Sequence, residues 1–426
     1  MEREAERIRR IAVLLREAER PVRVLRSIAW PEGTRERFLA SGGTELPEVS
    51  YAPLDPTRTL EAVAEARRLI DGDGPIDRWL TRLALAIETG ARMLAAVGTA
   101  DFFQRSRELY GCPTDPLVDQ VSTSLDLARQ LDDVLSGLTH LDLGGPADAC
   151  HLASGVAEQM RRIVQRHFGA SAPDVVVVDH LSANALAGPK DIRIRRDACF
   201  TDRDVFQLVH HEAFVHVGTS LNGRAQKDLP ILAAGHPGTT RTQEGLAVFG
   251  EFISGSIEPD RLRRLADRVL AIQMAIEGAD FLDVNRFFLE RTHSAEQAFE
   301  NARRVFRGGL LRGGAPFTKD GVYLDGLLRV HNFLRSVVRA GRSDCLRLLF
   351  AGKLDIEDLP ALCHLAEMGL CRQAKFLPPW AADLRFLVAY LAYSGFLNRV
   401  NLTMVQAHYA DLLSQAPTVA PMPPEG

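Results

Sequence analysis

Residues 209–216, VHHEAFVH, place three of the chain's twelve histidines and one glutamate within eight positions. Imidazole nitrogens and carboxylate oxygens are the donors of a catalytic zinc site, which takes three protein ligands and keeps one coordination position open. The order His211, Glu212, His216 is HExxxH, one residue wider than the zinc-binding HExxH helix. In HExxH the histidines are four apart, so they lie about 40° apart on a helix and grip one ion. Five apart, they diverge by about 140° on a regular α-helix. Two local departures restore convergence: a π-type turn, or loss of helical geometry at His216 just before Gly218. His210 is poorly placed as a ligand because its i+4 neighbour is Phe214, so it belongs beside the site or in the core. The competing reading makes His211 and His216 hydrogen-bonded interior histidines and Glu212 a surface carboxylate.

A third ligand is available at Glu244, 28 residues after His216, a spacing like that of gluzincins. Gly245 beside it would leave room for the histidine helix to approach. Glu251, seven residues on and so on the same helical face, is placed to orient a ligand imidazole. Glu244 could instead be a first-turn glutamate facing the helix dipole.

The stretches HHEAFVHVGTSLNGRAQ and GHPGTTRTQEGLAVFGE, in that order, resemble the QEGLA-motif proteins, a bacterial family often labelled flavohaemoglobin expression-modulating. They are similar also to the animal relatives of that family, the microtubule-associated tyrosine carboxypeptidases. FTKDGVYLDGLLRVHNFL (317–334) resembles the family too, and ELYGCPTDP (108–116) does so weakly. The resemblance implies a zincin-like, gluzincin-type metallopeptidase. In it His211, His216 and Glu244 hold Zn2+ and Glu212 is the catalytic carboxylate. The expected substrate is a peptide or protein C-terminus.

For such an enzyme, zinc lowers the pKa of a water towards about 7. Glu212 takes the water's proton and returns it to the leaving amine. An oxyanion donor is needed, and Tyr323 is the candidate, with a packed helix aromatic as its alternative role. A substrate's terminal carboxylate needs a cation. Arg241 comes first, then Lys319, with His236 also near the motif; either cation could equally be a solvated surface charge. A non-catalytic zinc-containing regulatory protein is the reading from another class, but a structural zinc has no use for Glu212. Endopeptidase or aminopeptidase action on the same site stays open.

These residues need a scaffold, and the pattern supplies a predominantly α-helical α+β fold. Residues 1–168 read as helical, through EAVAEARRLI, PLVDQVSTSLDLARQLDDVLSGL and SGVAEQMRRIVQRHF. Strand signals are confined to APDVVVVDH (172–180) and DIRIRRDACF (191–200), with SANALAGPK between them. Thr201 and Asp204 then form a capping signal for the histidine helix, and Gly218 offers an end to it. Thr240 or Thr242 can cap the helix TQEGLAVFGEFISG. We expect a helical region over 1–168, the catalytic core over 169–340, a packed helical region over 341–415 and a frayed tail from 416, all within one compact domain.

With 46% hydrophobic and 25% charged residues, the 426-residue chain has the balance of a water-soluble globular protein. A net charge of −4 with dispersed basic residues argues against nucleic acid as a partner. No GxxxxGK[ST] and no strand-linked GxGxxG is present. The six cysteines form no CxxC pair, so neither a thiolate zinc site nor a disulfide framework is expected. The N-terminal MEREAERIRRIAVLLREAER has no apolar stretch of a secretory signal and reads as a surface helix. The apolar segment 76–98 carries Arg82, Glu88 and Arg92 inside it, which excludes a membrane span there. A cytoplasmic protein is the expectation.

Overall fold

Amphipathic periodicity in the N-terminal part folds as helices, among them α1 (Glu2–Glu19) and α2 (Pro75–Ala95). Their apolar stripes are buried: Ile8, Ile11 and Leu15 of α1, and Trp79, Leu83 and Ile87 of α2, lie in one core. That core also takes in Leu246 and Phe249, Val330 and Leu334, and Phe350. The computed structural model describes residues 2–138, 141, 151–179, 181, 184–188, 190–397, 405 and 409–410. The tail expected from residue 416 lies outside them.

Two small sheets lead into the histidine segment. Strand β1 (His151–Leu152) precedes helix α3 (Ala153–Phe168), followed by β2 (Asp174–Val178), β3 (Ala185–Ala187), β4 (Asp191–Arg195) and β5 (Cys199–Phe200). The three-stranded sheet has order β2-β4-β3. The β-branched run of β2 pairs parallel with β4, Val175 opposite Ile192, and β3 pairs antiparallel with β4, Ala187 opposite Ile192. Strand β5 pairs antiparallel with β1. Strand β3 falls inside SANALAGPK, which alternation alone marks only as a connection. Its three residues carry too little pattern to register as a strand.

Helix α4 (Asp202–Leu208) starts as its sequence requires. The Thr201 hydroxyl accepts from the Asp204 N–H, and the Asp204 carboxylate accepts from the Thr201 N–H. The helix widens into a π segment over Val209–Val217 and then continues as α5 (Gly218–Arg224). Gly218 therefore does not end it; its φ of −53° and ψ of −53° are helical. One side of this long element, Val205, Val209, Ala213 and Val217, packs with Val156 and Met160 of α3 and Ile192 and Ile194 of the sheet. Val215 enters the larger core from the other side.

Helix α6 (Thr240–Ile253) follows a 3-10 turn over Pro237–Thr239. Neither Thr240 nor Thr242 caps it: Thr240 already lies within the helix, and the Thr242 hydroxyl donates to Asp355 Oδ2 at 2.7 Å. Beyond it run α7 (Pro259–Ile276), α8 (Ala295–Phe306), a 3-10 turn at Lys319–Gly321 and α9 (Val322–Arg339). Among the described residues no helix is long and apolar enough to cross a membrane.

Gly245 makes room for α9, not for the histidine helix. A Cβ there would lie 2.3 Å from the Gly326 carbonyl oxygen, and one on Gly326 would lie 2.4 Å from the Arg241 carbonyl oxygen. Helices α6 and α9 thus touch backbone to backbone, with no flexible side chain to yield. Gly245→Ala is expected to lose about 3 kcal/mol or more of stability by overpacking. Urea unfolding with circular dichroism checks this, and a loss below about 0.5 kcal/mol, the range of neutral surface changes, would contradict the close crossing.

Candidate metal centre

A π turn spreads successive side chains by less than an α-helix does, so residues five apart come onto one face. Over Val209–Val217 this brings His211 and His216 together, with ring centroids 4.9 Å apart. Helix α6 supplies the third donor from its second turn. Glu244 Oε2 lies 3.7 Å from His211 Nε2 and 3.6 Å from His216 Nε2. One ligand atom from each of the three residues lies within 4.8 Å of the others. Two ligands about 2.1 Å from a tetrahedral zinc are about 3.4 Å apart, so this set fits the ion in both spacing and donor type.

The imidazole of His211 is fixed from behind. Its Nδ1–H donates to Glu251 Oε1 at 2.6 Å, which leaves Nε2 facing Glu244. Glu251 is fully buried, one turn-pair beyond Glu244 on α6, and accepts two 2.9 Å hydrogen bonds from Arg261 of α7. A chain of charge-assisted contacts therefore runs from Arg261 through Glu251 to the ligand ring. Sequence spacing identifies Glu251; it gives no sign of Arg261, whose contact depends on how α7 packs back on α6.

Glu212 stands beside the ligands, its Oε1 3.9 Å from His211 Nε2. Its Oε2 accepts the backbone N–H of Ala187 at 2.8 Å. Strand β3 thus holds one carboxylate oxygen and leaves the other towards the ligand cluster. Lys319, at the start of its 3-10 turn, donates to Glu244 Oε1 at 3.2 Å. Lys353 closes the far side, donating to the His216 carbonyl at 3.0 Å and to Gln243 Oε1 at 3.1 Å. Neither Ala187 nor Lys353 carries a sequence signal, since both act through contacts made only in the folded chain.

A family model described as microtubule-associated tyrosine carboxypeptidase matches residues 36–399. The chain belongs to that family. No curated protein matches it. In this member of the tyrosine carboxypeptidase family the matched span contains every residue of the ligand cluster and its supports.

Electrostatics follow from burial and pairing. Burial alone would raise the Glu244 carboxyl, but Lys319, the His216 hydrogen bond and the His211 charge together hold it well below the usual carboxylate range. Burial likewise opposes the positive form of His211, yet the Glu251 hydrogen bond and the Glu212 and Glu244 charges raise its pKa above the usual value. In His216 burial wins and the pKa falls. Lys353 is pushed down to about 8 by burial, against the pull of Glu244 and Glu212.

The remaining sequence candidates divide. Tyr323 is buried beside the cluster; Lys319 Nζ lies 5.2 Å from its ring centroid, and its hydroxyl accepts from Arg304 at 3.4 Å. Arg241 is already engaged: its guanidinium pairs with Asp325 at 2.8 Å and donates to the Tyr110 carbonyl at 3.0 Å. It lines a separate cavity of about 220 Å³ with Cys112, Asp115 and Arg329. His236 is buried with neither ring nitrogen hydrogen-bonded to a described residue, and burial pushes it down to about 4. The ring of His210 stands edge-on to Phe214, 5.2 Å between centroids, and is also pushed down to about 4 by burial. Burial therefore favours the neutral form of both rings. The cysteines are less scattered than their spacing implies: Cys345 and Cys363 approach Asp344 to within 4.8 Å, although Arg342 already holds that carboxylate.

Removing Glu251 frees His211 to rotate and strands Arg261. Glu251→Ala is expected to weaken zinc binding 10- to 100-fold, read by competition with a chromogenic chelator. Unchanged affinity in a folded variant would mean that the 2.6 Å contact does not set the ring's orientation.

Proposed function

We propose that the chain is a zinc-dependent carboxypeptidase that removes the C-terminal residue of a peptide or protein, tyrosine being the residue in the family's description. The observation that carries this is the convergence of His211, His216 and Glu244, with Glu212 held at their side. The reading includes a zincin-like fold of gluzincin type. HExxxH and QEGLA are its sequence signature.

When bound, zinc supplies a Lewis acid that polarises a carbonyl and makes a water acidic near neutral pH. Every other part belongs to the chain. Glu212, fixed through Oε2 by Ala187, receives the water's proton on the oxygen that faces the cluster and passes it to the departing amine. Glu251 and Arg261 keep the His211 ring in place through the cycle. Lys319 and Tyr323 occupy the Glu244 side, where an N–H or O–H donor would meet the developing oxyanion. Arg241 is not the favoured partner of a substrate carboxylate, because Asp325 and Tyr110 already engage its guanidinium.

Two measurements test the reading. Glu212→Gln should keep zinc by metal analysis while turnover of a peptide ending in tyrosine falls about 10²- to 10⁴-fold by mass spectrometry. A chelator should abolish cleavage by the unaltered chain, and added zinc should restore it. Cleavage that persists without metal would overturn the proposal, as would a zinc-loaded chain that cuts no peptide. Internal cuts would replace carboxypeptidase with endopeptidase.

A further inference from the structure

Beyond Lys319 the protein buries more positive charge than it neutralises. Arg261 and Arg268 lie seven apart on one face of α7, Arg304 is near the end of α8, and Arg307 follows it. Three cations of this group have a carboxylate of their own: Arg261 has Glu251, Lys319 has Glu244 and Arg304 has Asp320. Arg268 and Arg307 do not. Arg268 Nε reaches Asp320 only at 4.0 Å, and its Nη1 is buried without a hydrogen-bond partner among the described residues. Arg307 is 9% exposed, and its Nε is likewise buried and unpartnered among them.

Three of these groups converge on one ring, while the Arg307 guanidinium carbon lies 5.7 Å from the Phe317 centroid. The Arg268 guanidinium carbon lies 4.6 Å from the Tyr323 centroid, that of Arg304 lies 5.9 Å away and Lys319 Nζ lies 5.2 Å away. Cation–π contact attenuates the charge but supplies no acceptor for the buried N–H groups. Burial and the neighbouring Arg304 push both Arg268 and Arg307 down to about 10, so they remain charged at neutral pH. The side chains of Arg268 and Arg304 keep 13% and 21% of their surface exposed, so the group is not sealed from solvent. An uncompensated, partly open guanidinium cluster suits an anion that arrives from outside, and planar carboxylates match its forked donors.

We propose that Arg268, Arg304 and Arg307, set around Asp320 and Tyr323, form the seat for a carboxylate of the peptide substrate. The proposal rests on the peptidase reading and names the chemistry that reading lacks, a recognition element for an acidic chain end. From Glu244 to the seat there are two contacts, Lys319 and the Tyr323 ring. The steps are 3.2 Å from Glu244 Oε1 to Lys319 Nζ, 5.2 Å on to the Tyr323 centroid and 4.6 Å from there to the Arg268 guanidinium carbon, within reach of a few residues of extended peptide at about 3.4 Å each. The carboxylate is either the chain terminus or an acidic side chain two or three residues before it.

Binding is the appropriate readout because it does not depend on turnover. The zinc-loaded Glu212→Gln chain is titrated, by fluorescence anisotropy, into N-terminally labelled Ala-Ala-Glu-Glu-Ala-Tyr. Parallel titrations use the C-terminal amide, the Gln-Gln analogue and the amide of that analogue. Loss of the seated carboxylate should weaken binding about tenfold or more, and Arg268→Gln or Arg307→Gln should erase that difference while Arg268→Lys keeps part of it. A drop on amidation assigns the seat to the terminal carboxylate; a drop in the Gln-Gln peptide assigns it to the acidic side chains. Four peptides bound within about twofold of one another, or no binding of the acidic free-ended peptide, would overturn the proposal. Because Arg268→Gln, Arg307→Gln and Arg268→Lys are separate substitutions, the test still decides when one arginine variant does not fold. Cleavage by the chain retaining Glu212 is followed separately. Carboxylate-dependent binding without any cleavage would leave the seat standing and remove the hydrolase reading.

Discussion

The constraint on which the site depends is angular. Two histidines five residues apart can share an ion only if the backbone between them carries more residues per turn than an α-helix. The Val209–Val217 segment meets that condition, and side chains from elsewhere support it. The Thr219 hydroxyl donates to the Val215 carbonyl at 2.7 Å. The His216 carbonyl accepts from the Ser220 hydroxyl at 2.7 Å and from Lys353 at 3.0 Å. A widened turn disturbs the regular hydrogen-bond ladder, and these donors satisfy carbonyls near its end.

Around that turn, side chains of the candidate site receive support from different parts of the chain. His211 leans on α6 and α7 through Glu251 and Arg261, and Glu212 on the sheet through Ala187. Glu244 meets Lys319 just ahead of α9. The bare contact between Gly245 and Gly326 ties the Glu244 helix to the helix bearing Tyr323, so the two sides of the cluster keep a fixed separation. Rigid elements supplying precise side-chain placement is what a site of this type requires.

Much of this is legible in residue order because the signals are local. The Thr201 and Asp204 capping pair, the β-branched run of β2, the need for a departure from α geometry between His211 and His216 and the helical repeat linking Glu244 to Glu251 all depend on residues a few positions apart. What escapes depends on packing between distant segments. Strand β3 is three residues long and exists through its ladder with β4. Arg261 is an ordinary helix arginine until α7 folds against α6. Arg241, close to Glu244 in sequence, is engaged by Asp325 of α9, a partner 84 positions later. Gly218 reads as a stop because glycine often is one, but its helical backbone lets α5 continue the element.

HExxxH can be regarded as HExxH with one amino acid inserted, and the π turn absorbs the rotation of about 100° that the insertion would impose on everything downstream of a regular α-helix. The widened turn thereby sets which residues of α5 and its exit face inward. Asn222 donates to the carbonyls of Phe350 and Phe376 and accepts from the N–H groups of Lys375 and Phe376. Gln226 makes a matching set with Ala351 and Arg372. Tightening the segment into a regular α-helix would therefore do more than part a pair of imidazoles: it would turn two amides away from the loops they fasten. The same widened turn governs both the placement of the two imidazoles and the fastening of residues 350–376.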